Sequence, residues 1–317
     1  MARKSRLVSL PLALALLGLV SCSDFSAETF QSYSPASLAL ANMDIEGELS
    51  PLDHSFRVSD VTADVFCGPI REGLEAIGEG WDYSLARVVS LGNLWLATTG
   101  TGIGLDSAEV RIATPTLFLS DSDAMEQYLG IGKGNQTIES LNSFRAVESA
   151  LGAGEDSDGN RIDYVVLPEP YLTIALKDTT AVTYGKAKRL TSVYKEATAQ
   201  GKSYYQYGVF LKKGMKTKTA QKLMTQIDEN LDDISKDVAY QTLIYLIQLG
   251  DETSLDYFDM TGSTLREVQQ NQDEAGNVVN VNRLCFASNQ PTVSELEDAF
   301  GSAIGEDSLF DGAFLEK

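Results

Sequence analysis

The chain has 317 residues, 43% hydrophobic and 22% charged, which excludes a disordered, collagen-like or coiled-coil protein and leaves room for about two domains. Twenty-five basic against 45 acidic side chains give a net charge of −20, which argues against a nucleic-acid partner, because phosphate binding needs a basic face. The single histidine, His54, excludes any one-chain mechanism that needs two, such as a two-His zinc centre.

The chain opens with Arg3, Lys4 and Arg6, followed by a largely apolar stretch over 7–20 broken by Ser9, Pro11 and Gly18. The stretch is shorter than the roughly 20 residues that span a bilayer. It has the form of a secretory signal peptide. Leu19-Val20-Ser21-Cys22 resembles the bacterial lipobox, in which a small residue precedes a thiol that takes a diacylglyceryl group. Residues 1–21 are therefore read as a lipoprotein signal peptide, Cys22 as the lipidated residue and 22–32 as a polar tether. Removing 1–21 leaves 22 basic against 45 acidic side chains, a net charge of −23. A surface this acidic repels anionic headgroups, so the acyl chains do the anchoring. The expected location is the outer face of a bacterial cell membrane or a periplasmic membrane surface. Cys67 and Cys285 remain. An oxidising compartment permits a disulfide between them, and two buried small hydrophobes are the other reading.

Beyond the tether, Ser34-Pro35-Ala36-Ser37 supplies helix-start chemistry ahead of Leu38, Leu40, Ala41 and Met43. A half-buried strand is expected over 56–61, and a short strand at Val65-Phe66-Cys67 that stops at Gly68-Pro69. A helix over 70–77 follows, then strands over 85–89 and 94–98 separated by Leu91-Gly92-Asn93. Gly100, Gly102 and Gly104 read as a hinge or turn, since their spacing is not a dinucleotide fingerprint. Next come a strand over 110–113, a turn at Thr114-Pro115-Thr116, and helices over 122–129 and 140–151. The apolar run 162–167 suits a central strand buried on both faces, and a helix over 171–176 follows it. Strand character returns over 207–211. Long helical periodicity covers 216–236, with Asp228, Glu229, Asp232, Asp233 and Asp237 on a solvated face. A helix over 238–249, a polar turn over 273–277, an extended run over 279–286 and a helix over 294–303 complete the chain. Alternating strands and helices imply an α/β fold with mainly parallel sheets.

Four segments carry a resemblance to a known family: 34–41, 63–70, Leu91-Gly92-Asn93-Leu94-Trp95-Leu96, and Val165-Val166-Leu167-Pro168-Glu169-Pro170-Tyr171-Leu172-Thr173. In their order and spacing they resemble the lipid-anchored solute-binding proteins of ABC importers, in the group that includes sulfonate, nitrate and thiamine-precursor binders. The chain departs from that pattern at Pro35-Ala36-Ser37, at Cys67-Gly68 and in the apparent insertion 152–160. The resemblance implies a two-lobe type II periplasmic-binding-protein fold with two crossover strands and an interlobe cleft. Lobe I is expected over 33–99 and 205–317, and lobe II over 100–204. It further implies a small, anionic or aromatic solute, ABC permease subunits as partners, a monomer, and no cofactor or covalent chemistry.

The residues support such a cleft independently. Ligands of open α/β sheets bind beyond the carboxyl ends of the strands. Three strand ends here lead into helix starts, at Cys67-Gly68-Pro69, Thr114-Pro115-Thr116 and Pro168-Glu169-Pro170. Helix starts offer unpaired N–H groups and a partial positive charge, which suit an anion. Candidate ligand contacts are Ser34, Ser37, Cys67, Gly68, Asn93, Thr114, Thr116, Glu169 and Tyr171. Ser34 and Ser37 equally fit plain helix caps, Asn93 a turn, and Glu169 a structural or closing role. Trp95, Tyr171, Tyr204, Tyr205 and Tyr207 fit core packing as well as stacking on a solute. Asp156-x-Asp158-Gly159-Asn160 resembles part of a calcium loop but lacks its final Glu, so a turn with Asx caps is the simpler reading. An enzyme on the same fold, or a surface lipoprotein with an adhesive role, are the alternatives.

Overall fold

The computed structural model describes residues 29–32, 46–49, 58–169, 171–177, 187–236, 270–272, 278–280, 285–287, 289–305 and 307–314. The expected helices over 35–43 and 238–249, Ser34 and Ser37, and the 1–21 leader with Cys22 lie outside them. Among the described residues no helix is long and apolar enough to cross a membrane.

Two five-stranded sheets form the body. The first holds β1 (Thr29–Ser32), β2 (Glu46–Leu49), β3 (Val65–Pro69), β4 (Tyr83–Ser90) and β10 (Tyr207–Lys212), in the order β2-β1-β3-β10-β4. The second holds β5 (Trp95–Thr98), β6 (Arg111–Pro115), β7 (Thr137–Leu141), β8 (Tyr164–Leu167) and β9 (Lys188–Ser192), in the order β7-β6-β8-β5-β9. β11 (Gln270–Gln272) and β12 (Val278–Asn280) form a separate antiparallel pair. The two large sheets share one plan. Each has three parallel strands, then one antiparallel strand, then an outer strand. In each, the antiparallel strand is the first one laid down after the chain arrives from the other sheet. The α/β expectation therefore holds, with sheets that are mixed rather than mainly parallel, since two of the four pairings in each are antiparallel.

Local chemistry sets these elements. β8 is buried along its whole length between β6 and β5, as its uninterrupted apolar run requires. Pro69 ends β3 and opens α1 (Ile70–Gly78), whose buried Ile70, Gly73, Leu74 and Ile77 repeat at helical spacing. A Cβ on Gly73 would sit 2.2 Å from the Phe210 ring, so glycine lets α1 lie directly on β10. Ser143 caps α3 (Phe144–Ala153) by accepting from the Ala146 N–H at 3.1 Å, a contact worth about 1 kcal/mol. α6 (Thr217–Lys236) buries Ala220, Leu223, Met224, Ile227 and Leu231. It is tied to β4 where the Arg87 guanidinium donates to Asp228 at 2.9 and 3.1 Å. α7 (Val293–Phe300) starts at a capping box of Thr292 and Glu295.

Several expectations are corrected. Thr29–Ser32, read as the end of the tether, is strand β1, with Phe30 and Ser32 buried. A single apolar residue in four gives no periodicity to detect. Val58–Asp60 is a 3-10 turn where a strand over 56–61 was expected, because Val58 and Val61 are buried three residues apart and Asp60 is exposed. The helix expected from 140 begins at Phe144, and 137–141 is the outer strand β7. The 122–129 segment is one short α-helical turn, α2 (Ser122–Ala124), followed by a π-helical turn, Met125–Leu129. β9 and α5 (Val193–Ala199) carried no signal strong enough to read.

Candidate functional site

The chain passes between the sheets twice among the described residues. It leaves β4 and enters β5 across 91–94, and it returns from α5 to β10 across 200–206. The sequence-based division at Thr99–Gly100 lies beyond β5, which pairs wholly within the second sheet. Strand register fixes which edges face the crossings. Tyr207 lies opposite Pro69 and Ser90, so the carboxyl ends of β3 and β4 share the edge where β10 begins. Trp95 lies opposite Leu167 and Ser192, so the carboxyl ends of β8 and β9 share the edge where β5 begins. The carboxyl ends of the parallel strands in both sheets thus meet at the crossings, the place where open α/β sheets bind ligands.

The first crossing is built around Gly92 and Asn93. Gly92 has φ +89°, the left-handed region, and its carbonyl accepts from the Tyr194 N–H at 3.2 Å. Asn93 is buried and fully engaged. Its N–H donates to Gln206 Oε1 at 2.9 Å, its Nδ2 donates to the Glu169 carbonyl at 2.8 Å, and its Oδ1 accepts from the Glu169 N–H at 2.9 Å.

Glu169 is also committed. Its carboxylate accepts from the Thr173 N–H at 2.9 Å and pairs with Arg189, whose Nη2 also reaches Thr173 Oγ1 at 2.6 Å. The guanidinium lies 5.2 Å over the Trp95 ring. Arg189 thus meets a buried carboxylate and an aromatic face at once, which a fully buried Glu169 needs for its charge. Cys285 sits in the same neighbourhood with φ +55°, and its carbonyl accepts from the Leu91 N–H at 2.7 Å. Burial and the Glu169 charge push its thiol up, against a hydrogen bond from Trp95. Cys67 and Cys285 are both buried and are not joined in a disulfide.

The second crossing centres on Gln206. Its N–H donates to the Ser90 carbonyl at 2.9 Å and its carbonyl accepts from the Ile70 N–H, also at 2.9 Å. Its Nε2 donates to Asp121 Oδ2 at 3.0 Å, and Asp121 Oδ1 accepts from Tyr204 Oη at 2.5 Å. Burial, the largest cause, raises the Asp121 carboxyl to about 6 against those two hydrogen bonds, and Glu72 adds to the rise. The Tyr204 hydroxyl is raised by burial and by Asp121.

The predicted residues are therefore distributed unevenly. Asn93 and Glu169 are joined directly. Cys67 and Gly68 are buried at the end of β3, on the first-sheet side of the crossings. Thr114 is fully buried near the end of β6, and its hydroxyl has no hydrogen-bond partner among the described residues. Thr116 Oγ1 lies 2.8 Å from Ser140 Oγ and donates to the Leu141 carbonyl at 3.1 Å. Tyr171 stacks on Phe144 at 4.9 Å and 19°. Two N–H groups at helix starts that the sequence offers to a solute are already taken, Ile70 by Gln206 and Thr173 by Glu169. Gln206, Asp121 and Arg189 were not singled out, because a polar residue whose partners are distant in sequence leaves no local pattern. In the 156–160 loop the Asp156 carboxylate accepts from Asp158, and from Asn160 twice, at 2.8–2.9 Å, so it is a self-satisfied Asx turn. Among the described residues no group of three or more His, Cys, Asp or Glu side chains is placed to hold a metal ion.

No protein-family model and no curated protein matches the chain. Solved structures do. An ABC transporter protein from Parabacteroides distasonis is 15% identical, with a TM-score of 0.56, over 93% of this chain and 100% of that one. The ligand-binding component of an ABC-type import system from Staphylococcus aureus, with zinc bound, is 12% identical, with a TM-score of 0.52, over 86% and 89%. The periplasmic aliphatic sulphonate binding protein SsuA from Escherichia coli is 12% identical, with a TM-score of 0.51, over 76% and 84%. At such identities the likeness is one of fold, and with the two matching sheets and their crossings it shows that this chain has the periplasmic-binding-protein fold.

Proposed function

We propose that this chain is a lipid-anchored, extracytoplasmic solute receptor that captures a small, anionic or aromatic molecule between two lobes and delivers it to an ABC permease. The observation that supports the reading is the meeting of both sheets' carboxyl edges at two short crossings, where a solute cleft between two α/β halves is proposed. The likeness to import-system binding components supports the same reading. Lobe I comprises the first sheet with α1, α6 and α7, and lobe II the second sheet with α3, α4 (Tyr171–Lys177) and α5. Solute contacts are assigned to Cys67, Gly68, Thr114, Thr116 and Tyr171 at the strand ends, with Ser34 and Ser37 added from the first segment. Thr114 is the strongest of these, since a buried hydroxyl without a partner among the described residues costs free energy that a solute acceptor would recover. Asn93 and Glu169 are assigned to the same site, where their hydrogen bonds to each other hold the first crossing. A micromolar complex needs about −8 kcal/mol, within reach of a buried cleft with several hydrogen bonds. Anchoring is assigned to acyl chains on Cys22.

The test is calorimetric titration of the purified protein with sulfonates, carboxylates, pyrimidine precursors and aromatic acids, alongside mass spectrometry of molecules retained on gentle purification. Saturable binding that Thr114→Val weakens supports the reading. A panel without binding, and no retained molecule, rejects it. Metabolic labelling with a fatty acid, abolished by Cys22→Ser, tests the anchor separately.

A further inference from the structure

Asp121 lies where the two halves meet, and its surroundings are unusual for a carboxyl group. It belongs to the second half, in the segment after β6. Its two oxygens are bound from either side of the second crossing: Tyr204 follows α5 in the second half, whereas Gln206 leads straight into β10 of the first. Gln206 is itself locked to the first half through the Ser90 carbonyl and the Ile70 N–H. The Asp121–Gln206 contact is therefore a bond between halves, made at the pivot. Two residues further on, exposed Asp123 reaches Arg71 of α1 at 3.8 Å, a second and weaker bridge on the same side. The charged and titratable groups facing Asp121 are Glu72 and Arg71 from α1, and Tyr204 and Tyr207 from the crossing and β10. Glu72 opposes a charge on Asp121, and Arg71, which favours it, is shared with Asp123.

We propose that Asp121 is a proton-sensitive clasp between the two halves, bonded to Gln206 across the pivot and taking up a proton as the halves close over it. Opened to water, its carboxyl ionises in the ordinary carboxylate range. With the halves joined as they are here, burial foremost and Glu72 hold it up at about 6. The closed form therefore binds the proton more tightly, and by linkage acidification favours closure. The bonds survive the added proton. The carbonyl oxygen of the acid still accepts from Gln206, and the acid O–H donates to the Tyr204 oxygen once that hydroxyl turns away.

The inference concerns the motion of the halves and is read without any solute. Pulsed electron resonance would measure the separation between spin labels carried on unnatural residues at exposed Gln221 of α6 and exposed Ser149 of α3. The population at short separation is expected to grow as pH falls from 8 to 5, beginning near 6 and with its midpoint below that value. Asp121→Asn, uncharged throughout, is expected to stay at short separation across that range. Tyr204→Phe, which removes a hydrogen bond that lowers the Asp121 pKa, is expected to move the midpoint to higher pH. Separations independent of pH, an Asp121→Asn variant that keeps the native pH response, or a Tyr204→Phe midpoint that does not move would each overturn the clasp. None of these results bears on whether a solute binds, and failure to find a solute leaves the clasp standing.

Discussion

Asn93 grips the backbone of Glu169 with both ends of its carboxamide, Nδ2 on the carbonyl at 2.8 Å and Oδ1 on the N–H at 2.9 Å. This reciprocal pair joins the first crossing to the turn that leads from β8 into α4. Both residues are buried, so neither bond can be replaced by water without moving the chain. Asn93→Ala is expected to destabilise the protein by about 1–3 kcal/mol, because it orphans two backbone groups at once. Asn93→Asp is expected to cost at least as much, since a carboxylate cannot donate to the Glu169 carbonyl. Urea unfolding at neutral pH measures both. An alanine variant as stable as the native protein would show that the grip is incidental.

The ion pair above that grip gives a second prediction. Glu169 is fully buried and Arg189 partly so, with side-chain exposures of 0% and 18%. Removing one partner strands the other, and breaking such a pair costs about 3–5 kcal/mol. Glu169→Gln and Arg189→Met are each expected to be strongly destabilising. The double variant Glu169→Leu with Arg189→Met is expected to recover much of the loss, because two apolar groups need no counter-charge. A double variant no better than the worse single one would mean that Thr173 and Trp95 depend on these side chains for more than charge balance.

The fold was legible where a signal is local. The apolar run of β8, the proline-terminated β3 and the helical periodicity of α6 each announce themselves within ten residues or so of sequence. β1 was hidden because Phe30 is its one large apolar side chain, and β7 because 137–141 is an outer strand with no fully buried residue. The site was legible only in outline. Strand ends followed by helix starts mark the cleft, and Asn93 and Glu169 stood out for their turn chemistry. What could not be read is that they spend their hydrogen bonds on each other. Gln206, which ties the crossings together, is bonded to Ser90 and Asp121, and such distances in sequence leave no trace in composition or period. Gly100, Gly102 and Gly104 read as a hinge or turn because glycines permit bending, whereas the described passages between the sheets run across 91–94 and 200–206 and are held by side chains.

Gly92 shows that the crossing is sterically set. At φ +89° an added Cβ would lie 2.9 Å from Val193 Cγ1 and 3.3 Å from the Tyr194 nitrogen. Gly102 has a similar φ, +82°, with no atom within 4 Å of its added Cβ. Comparing Gly92→Ala with Gly102→Ala separates contact from backbone strain. Gly102→Ala is expected to lose about 1 kcal/mol for the left-handed conformation alone. Gly92→Ala is expected to lose clearly more, because the start of α5 must also move. Equal losses in thermal or urea unfolding would mean that the crossing yields freely.

Stability is expected to fall as pH rises, for a reason that can be assigned to two residues. Both oxygens of the Glu148 carboxylate, on α3, are buried without a hydrogen-bond partner among the described residues, and burial, opposed by Arg145, holds the group well above the ordinary range. Asp121 is raised from 3.8 to about 6. A folded-state pKa above the unfolded value means that the native protein holds a proton the unfolded chain has lost. The associated stability is complete below the unfolded pKa and disappears as pH rises through the folded one. For Asp121 that is a loss of roughly 3 kcal/mol, developed from about pH 4 to just above 6. Glu148 adds a loss of the same sign that continues to higher pH. Glu148→Gln, neutral at every pH, is expected to match the native protein at pH 4 and to exceed its stability at pH 8. Adding Asp121→Asn is expected to flatten what remains of the slope between pH 4 and 7. Unfolding free energies measured across that range decide the matter, and a Glu148→Gln variant less stable than the native protein at pH 8 would mean that the carboxylate has a counter-charge its surroundings on α3 do not supply.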